Sequence, residues 1–173
     1  QRWLFHTDGH DNHGDSTWVT NKNINLNGSN LVLWTSQYHS GTSQNSNIGF
    51  VNKGTITTAG NNNIGWIALN EGGNTARQHY FHNDGGTINI GGSSDILAMI
   101  QSPTAGANSG WSYINDGTIN LTGASDGAFT FGNKATNTKI GSLTLDMGKN
   151  DILTGKNGIG IYAEAANINL TND

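Results

Sequence analysis

Apolar and polar residues alternate along this chain in short bursts. INL at 24–26, TIT at 55–57, TINI at 87–90 and TINL at 118–121 each place aliphatic side chains at every second position. Denser apolar runs stand among them: LVLW, IGWIAL, DILAMI and, further on, GIGIYA. Period-2 alternation bounded by Gly and Asn predicts strands of about four to six residues. No stripe at 3.6-residue spacing is sustained, so no helix is expected.

The bursts recur. Asn21, Asn52, Asn83 and Asn115 open the phrases NKNINLNG, NKGTITTAG, NDGGTINIGG and NDGTINLTG, at spacings of 31, 31 and 32 residues. Behind each Asn comes a turn residue, usually Gly, and then a leading pair: Ile24/Leu26, Ile56/Thr58, Ile88/Ile90 and Ile119/Leu121. A second run starts around Val32, Ile64, Ile96 and Gly127. A third follows a variable polar segment, at 48–51, 78–81, 111–114 and 140–143. Three short strands cannot bury their own inner face, but copies stacked on one another can. The pattern therefore predicts an all-β parallel β-helix (a solenoid) of about five to six coils with three short strands each.

In this reading residues 1–20 are an N-terminal cap or the end of a preceding coil. The coils run at about 21–51, 52–82, 83–114, 115–142, 143–164 and a partial 165–173. The last ones are shorter because Leu143 and Ile168 take the leading position 24 and 25 residues on. Parallel stacking at about 4.8 Å sets equivalent residues above each other. Asn21, Asn52, Asn83 and Asn115 would then form a hydrogen-bonded amide ladder. Gly54, Gly85 or Gly86, and Gly117 would take backbone conformations closed to other residues. Thr55, Thr87 and Thr118 would form a β-branched column, and Trp34, Trp66 and Phe129, interrupted by Ala98, would fill the core.

Composition narrows the function classes. Only 12% of the 173 residues are charged and the net charge is −4, so no Lys/Arg stripe exists to neutralise phosphates and no nucleic-acid partner is expected. With no cysteine there is neither a disulfide framework nor a zinc-thiolate site. No apolar run approaches 18 residues, so no helix of this chain is expected to enter a membrane. The abrupt start at QRWLF and stop at NLTND read as an excerpt of something longer.

NKGTI, NDGTINLTG and NGIGIYAEAANINL resemble the passenger domains of large type V autotransporters, particularly the very long fusobacterial adhesins. The resemblance covers about residues 21–173. It implies a right-handed parallel β-helix, secreted and displayed on the bacterial surface, attached to the outer membrane in the full-length protein. It also implies a virulence-associated adhesin that attaches to host cells or other bacteria through a glycan or protein. No binding residue of the family carries over to a position here. Three alternatives stand beside one another: a binding module, a stalk that spaces a remote tip, and, as an outsider, a polysaccharide-degrading enzyme. The expectation is no enzyme and no cofactor, with lateral self-association along the flanks left open.

Candidate sites are of three kinds. His6, Asp8, His10, His13 and Asp15 crowd imidazoles and carboxylates that divalent metals accept. Their spacing matches no established motif, and a polar loop without metal is the expectation. The loops between second and third strands, 35–47, 70–77, 101–110 and 132–138, leave at one corner, where insertions form binding faces. Tyr38, His39, Glu71, Arg77, Gln101 and Asn108 there offer an aromatic platform with polar partners for a sugar. Asp84 and Asp116, with Asp95 and Asp126 nearby, could supply general acid and base. However, Lys22 and Lys53 hold the place of Asp84 and Asp116 in earlier coils, and Asp before Gly is common turn chemistry. Trp3, Trp18 and Trp111 are anchors for a partner or caps of the fibre end.

Overall fold

The computed structural model describes residues 2–8, 15–38, 47–71, 77–104, 109–123, 127–131, 140–146, 152–153, 159–163 and 165–171. Two strands, β1 (Arg2–Asp8) and β2 (Ser16–Thr20), open the chain. The first full turn is β3 (Ile24–Leu26), β4 (Leu31–Tyr38) and β5 (Ile48–Asn52). The second is β6 (Thr55–Thr58), β7 (Ile64–Glu71) and β8 (Arg77–Asn83). Then come β9 (Thr87–Ile90), β10 (Ile96–Thr104) and β11 (Ser109–Asn115), followed by β12 (Thr118–Leu121), β13 (Gly127–Phe131) and β14 (Ile140–Asp146). The last turn is β15 (Ile152–Leu153), β16 (Ile159–Ala163) and β17 (Ala165–Thr171). Among the described residues there is no helix.

Every third strand stacks in parallel on its predecessor. The first sheet is β3-β6-β9-β12-β15, the second β1-β4-β7-β10-β13-β16 and the third β2-β5-β8-β11-β14-β17. The described strands form a three-sided parallel β-helix of five full turns, with β1 and β2 paired onto β4 and β5 of the first. The register follows the repeat: Ile24, Ile56, Ile88 and Ile119 align, as do Val32, Ile64, Ile96 and Gly127.

Two expected registers are corrected. Thr20, not Asn21, lies opposite Asn52, and Lys53 N donates to Thr20 O. Asn21 is exposed. The spacing from Asn21 to Asn52 is 31, but the aligned pair Ile24 and Ile56 are 32 apart, so the phrase match is out by one residue. Lys22 correspondingly lies beneath Gly54 rather than Lys53. The second correction concerns Leu143 and Ile168. They align with Trp111 in the third sheet, not with the leading isoleucines. The residue opposite Ile119 is Ile152, so no coil begins at 143 or at 165. SLTLD alternates as a first strand would, and alternation alone does not say which sheet a strand joins. The turn is shortened all the same, because only residue 164 separates β16 from β17.

The interior is lined by aligned side chains. Trp34 and Trp66 are fully buried and stacked, with ring centroids 5.3 Å apart. Phe50, Phe81 and Tyr113 form a second stacked column at 5.2 and 4.9 Å. Burying each such ring stabilises the fold by roughly 1.5–3 kcal/mol. Both indoles are satisfied from the preceding turn: Trp34 Nε1 donates to Thr7 Oγ1 (3.0 Å) and Trp66 Nε1 to Ser36 Oγ (2.9 Å). Thr7, Ser36 and Ala68 occupy one column, and Trp34, Trp66 and Ala98 another. The hydroxyl and the indole therefore disappear together, in successive turns. A separate apolar cluster, Val32, Ile64 and Ile67 with Ile96 and Met99, belongs to the second sheet as well. The chain's one proline, Pro103, falls where β10 slips register against β7, a place where a missing N–H is tolerated.

Candidate functional site

The three corners of the prism are built differently. At the first, between third and first sheets, Thr20, Asn52, Asn83 and Asn115 stack. Asn52 Nδ2 donates to Asn83 Oδ1 (2.9 Å) and Asn83 Nδ2 to Asn115 Oδ1 (2.8 Å). Thr20 Oγ1 reaches Asn52 Oδ1 at 3.3 Å. The three amides are wholly buried and also bind the turn, with Asn52 Nδ2 on Gly54 O and Asn83 Nδ2 on Gly86 O, both 3.1 Å. Of the corner glycines only Gly85 takes a positive φ, +69°. Gly54, Gly86 and Gly117 are there for space instead: a Cβ at Gly117 would meet Gly86 O at 2.1 Å and one at Gly54 would meet Lys22 O at 2.3 Å.

The second corner carries a ladder that the sequence reading passed over. Asn30, Asn62 and Ser94 hold the left-handed conformation, φ 58–59°, one turn apart. Beside them Asn63 and Asp95 are buried. Asn63 Oδ1 accepts from Leu31 N and its Nδ2 donates to Gly28 O, each at 2.9 Å. Asp95 accepts from Thr58 Oγ1 (2.9 Å) and Asn63 N (2.8 Å). The signal was Gly28, Gly60 and Gly92, 32 residues apart, each followed by small polar residues. Ordinary turns have the same composition, which hid the structural role of Asp95.

The third corner is the variable one. Connections 9–15, 39–47, 72–76, 105–108, 132–139 and 164 all run from the second sheet to the third, and range from one to nine residues. The His/Asp segment near the N-terminus thus belongs to the same row as the four loops. Tyr38 ends β4 opposite Asn70, and Glu71 ends β7 opposite Thr104. Arg77 begins β8 opposite Ser109, and Gln101 precedes the register slip in β10. The backbone brings these four positions to the margins of one corner in successive turns. Their side chains, and His39 and Asn108 entirely, lie outside the described residues.

Beside β1 and β2 a groove of about 310 Å³ is lined by His6, Thr7, Ser16, Thr17 and Trp18. Trp18 is exposed, and its Nε1 donates to Thr7 Oγ1 at 2.9 Å. Trp3 packs on His6 with centroids 5.2 Å apart, and Trp3, Leu4 and Val19 are more than half exposed. His6 Nδ1 lies 2.6 Å from Thr35 Oγ1. Asp15 Oδ1 accepts from Asn47 N at 2.8 Å. His6 and Asp15 are thus each engaged with the next turn. Asp8 lies in β1 with its side chain outside the described residues, as are His10 and His13 entirely. Among the described residues no group of three His, Asp or Glu could hold a metal.

Asp84 and Asp116 take equivalent places in successive turns, next to the aligned pair Asn83 and Asn115. Asp84 and Asp116 follow the first-corner ladder and are paired: Lys53 Nζ is 3.5 Å from Asp84, and His82 Nε2 is 2.6 Å from Asp116. Asp95 lies beyond the other end of β9, buried at the second corner, and Asp126 lies outside the described residues. On the third sheet the Tyr80 ring covers Gly49, where a Cβ would sit 2.0 Å from the ring, and its hydroxyl lies 2.7 Å from Thr17 Oγ1. Burial pushes the Tyr113 phenol well above its ordinary pKa. Trp111 lies in β11, with its side chain outside the described residues. No protein-family model, curated protein or solved structure matches this chain.

Proposed function

We propose that this chain is a rigid binding module, an extracellular segment of an adhesin passenger of the type V autotransporter kind. It is displayed on a bacterial surface and engages a glycan or protein on host cells or other bacteria. One observation carries the reading. Two corners carry buried polar ladders and connections of similar length, while the connections at the third are of unequal length. Insertions confined to one side of a repeat protein form its binding face, and a stiff prism fixes their spacing. The exposed Trp18 beside Ser16, Thr17 and His6 extends that row with the ring-plus-hydroxyl chemistry that sugars recognise.

The even amide ladder favours a second reading, a stalk whose turns are interchangeable. The two are separated by presenting the folded chain to a glycan array and to cells, beside a variant in which 39–46 is replaced by a short Gly/Ser turn. Binding that is lost with the loop supports the module. A folded chain that binds in neither form is a stalk. Release of reducing sugar from a polysaccharide would instead mark an enzyme, and loss of binding with EDTA would bring the His/Asp segment back as a metal site.

A further inference from the structure

The first sheet has its own surface chemistry. In β6, β9 and β12 the inward positions are Ile56/Thr58, Ile88/Ile90 and Ile119/Leu121, all buried. The alternate positions form two outward columns, Thr55-Thr87-Thr118 and Thr57-Asn89-Asn120, the second continued by Asn25. Asn120 Nδ2 already donates to Asn89 Oδ1 at 2.9 Å, so the amides are ordered along the column. The five strands, INL, TITT, TINI, TINL and IL, contain no charged residue. The described charges nearest in sequence, Lys22, Lys53, Asp84 and Asp116, stand before the strands, at the first corner.

We propose that this face is a self-association surface, on which a second copy of the chain docks laterally with its own Thr and Asn columns. Three observations select that occupant. The chain carries a net charge of −4, and copies that repel one another elsewhere can approach through a side that has no charge. Each Thr hydroxyl and each amide both donates and accepts, so two identical faces related by a two-fold axis complement each other. The columns repeat at about 4.8 Å, a period that another copy matches along its whole length. This face is separate from the loop row, so neither surface depends on the other.

The flat area is small. Five strands at ~4.8 Å and about four residues at ~3.3 Å give roughly 250 Å² per copy, well below the ~800 Å² per partner of a standard stable complex. Association of a single fragment is therefore weak, and it strengthens with the number of turns that meet.

Sedimentation equilibrium from micromolar to about millimolar chain tests the proposal. The wild-type mass rises above 18.3 kDa with concentration. In a Thr57→Lys/Asn89→Lys variant the association constant falls by roughly a hundredfold or more, since like charges are then forced together. Thr118→Lys, at an exposed position, gives the same direction with less risk to folding, and circular dichroism confirms the fold of each variant. The chain shortened at 39–46 associates as the wild type does. A wild type that stays monomeric throughout overturns the proposal. So does undiminished association of folded lysine variants, or its loss only in the loop-shortened chain.

Discussion

Between the third and first sheets the chain turns in two or three residues in each of the first four passages, over Thr20, Asn52, Asn83 and Asn115. Between the second and third sheets the first five passages take four to nine. Both corners serve the same topology, so topology does not set the length. A buried amide does: Asn83 must reach Asn115 above it, accept from Asn52 below it and hold Gly86 O in its own turn. An inserted residue is tolerated only as Gly85, which bulges outward at positive φ with nothing near its Cβ position. At the third corner the length does vary, from four to nine residues in the same passages, and variation of that kind accumulates binding surfaces.

The two corners therefore respond unequally to mutation. Asn83→Ala leaves buried partners on both sides without their hydrogen bonds, at about 3–5 kcal/mol. Shortening 105–108 changes stability by only about 0.5 kcal/mol. Urea unfolding of both variants measures this, and a loop deletion that costs as much as Asn83→Ala would remove the distinction. Next in size is a comparison of carboxylates. Asp95→Ala removes the acceptor of Thr58 Oγ1 and Asn63 N inside the second corner, for about 2–3 kcal/mol. Asp84→Ala breaks a half-exposed pair with Lys53, worth less than about 1 kcal/mol. Equal losses in the two variants would show that burial is not what matters.

The smallest effect at neutral pH is that of Tyr113. An ordinary phenol ionises near pH 10, and burial holds this one well above that value in the folded chain. Below pH ~10 both folded and unfolded forms keep the proton, and there is no dependence. Above it the unfolded form gives up a proton that the folded form retains, so stability falls as pH rises. Tyr113→Phe should flatten that alkaline decline. In the wild type, one of the four tyrosines should be missing from the tyrosinate absorbance until unfolding. Full titration of all four in the folded chain would contradict it.

Alternation and period made the prism legible in advance, including the alignments Ile56-Ile88-Ile119 and Val32-Ile64-Ile96-Gly127. Both signals arise from inward-facing side chains that the stack forces to repeat. Thr20 was missed because a similar phrase one residue later imitates the ladder, and only the length of the whole turn reveals the slip. Asp95 was missed because a buried cap and a surface turn share the same small polar residues. The loop candidates shared a corner for topological reasons that the sequence did carry. Which side chains meet across successive loops depends on packing that no spacing encodes.

The amide column at the first corner also has a sense. Asn52 and Asn83 each donate toward the later turn and accept from the earlier one, and the acceptor end finishes on a hydroxyl donor, Thr20. A single rung turned around would set oxygen against oxygen and nitrogen against nitrogen, so the column reverses as a unit or not at all. From Thr20 to Asn115 this one column therefore has a single polarity, opposite to that of the outward pair in which Asn120 donates back to Asn89.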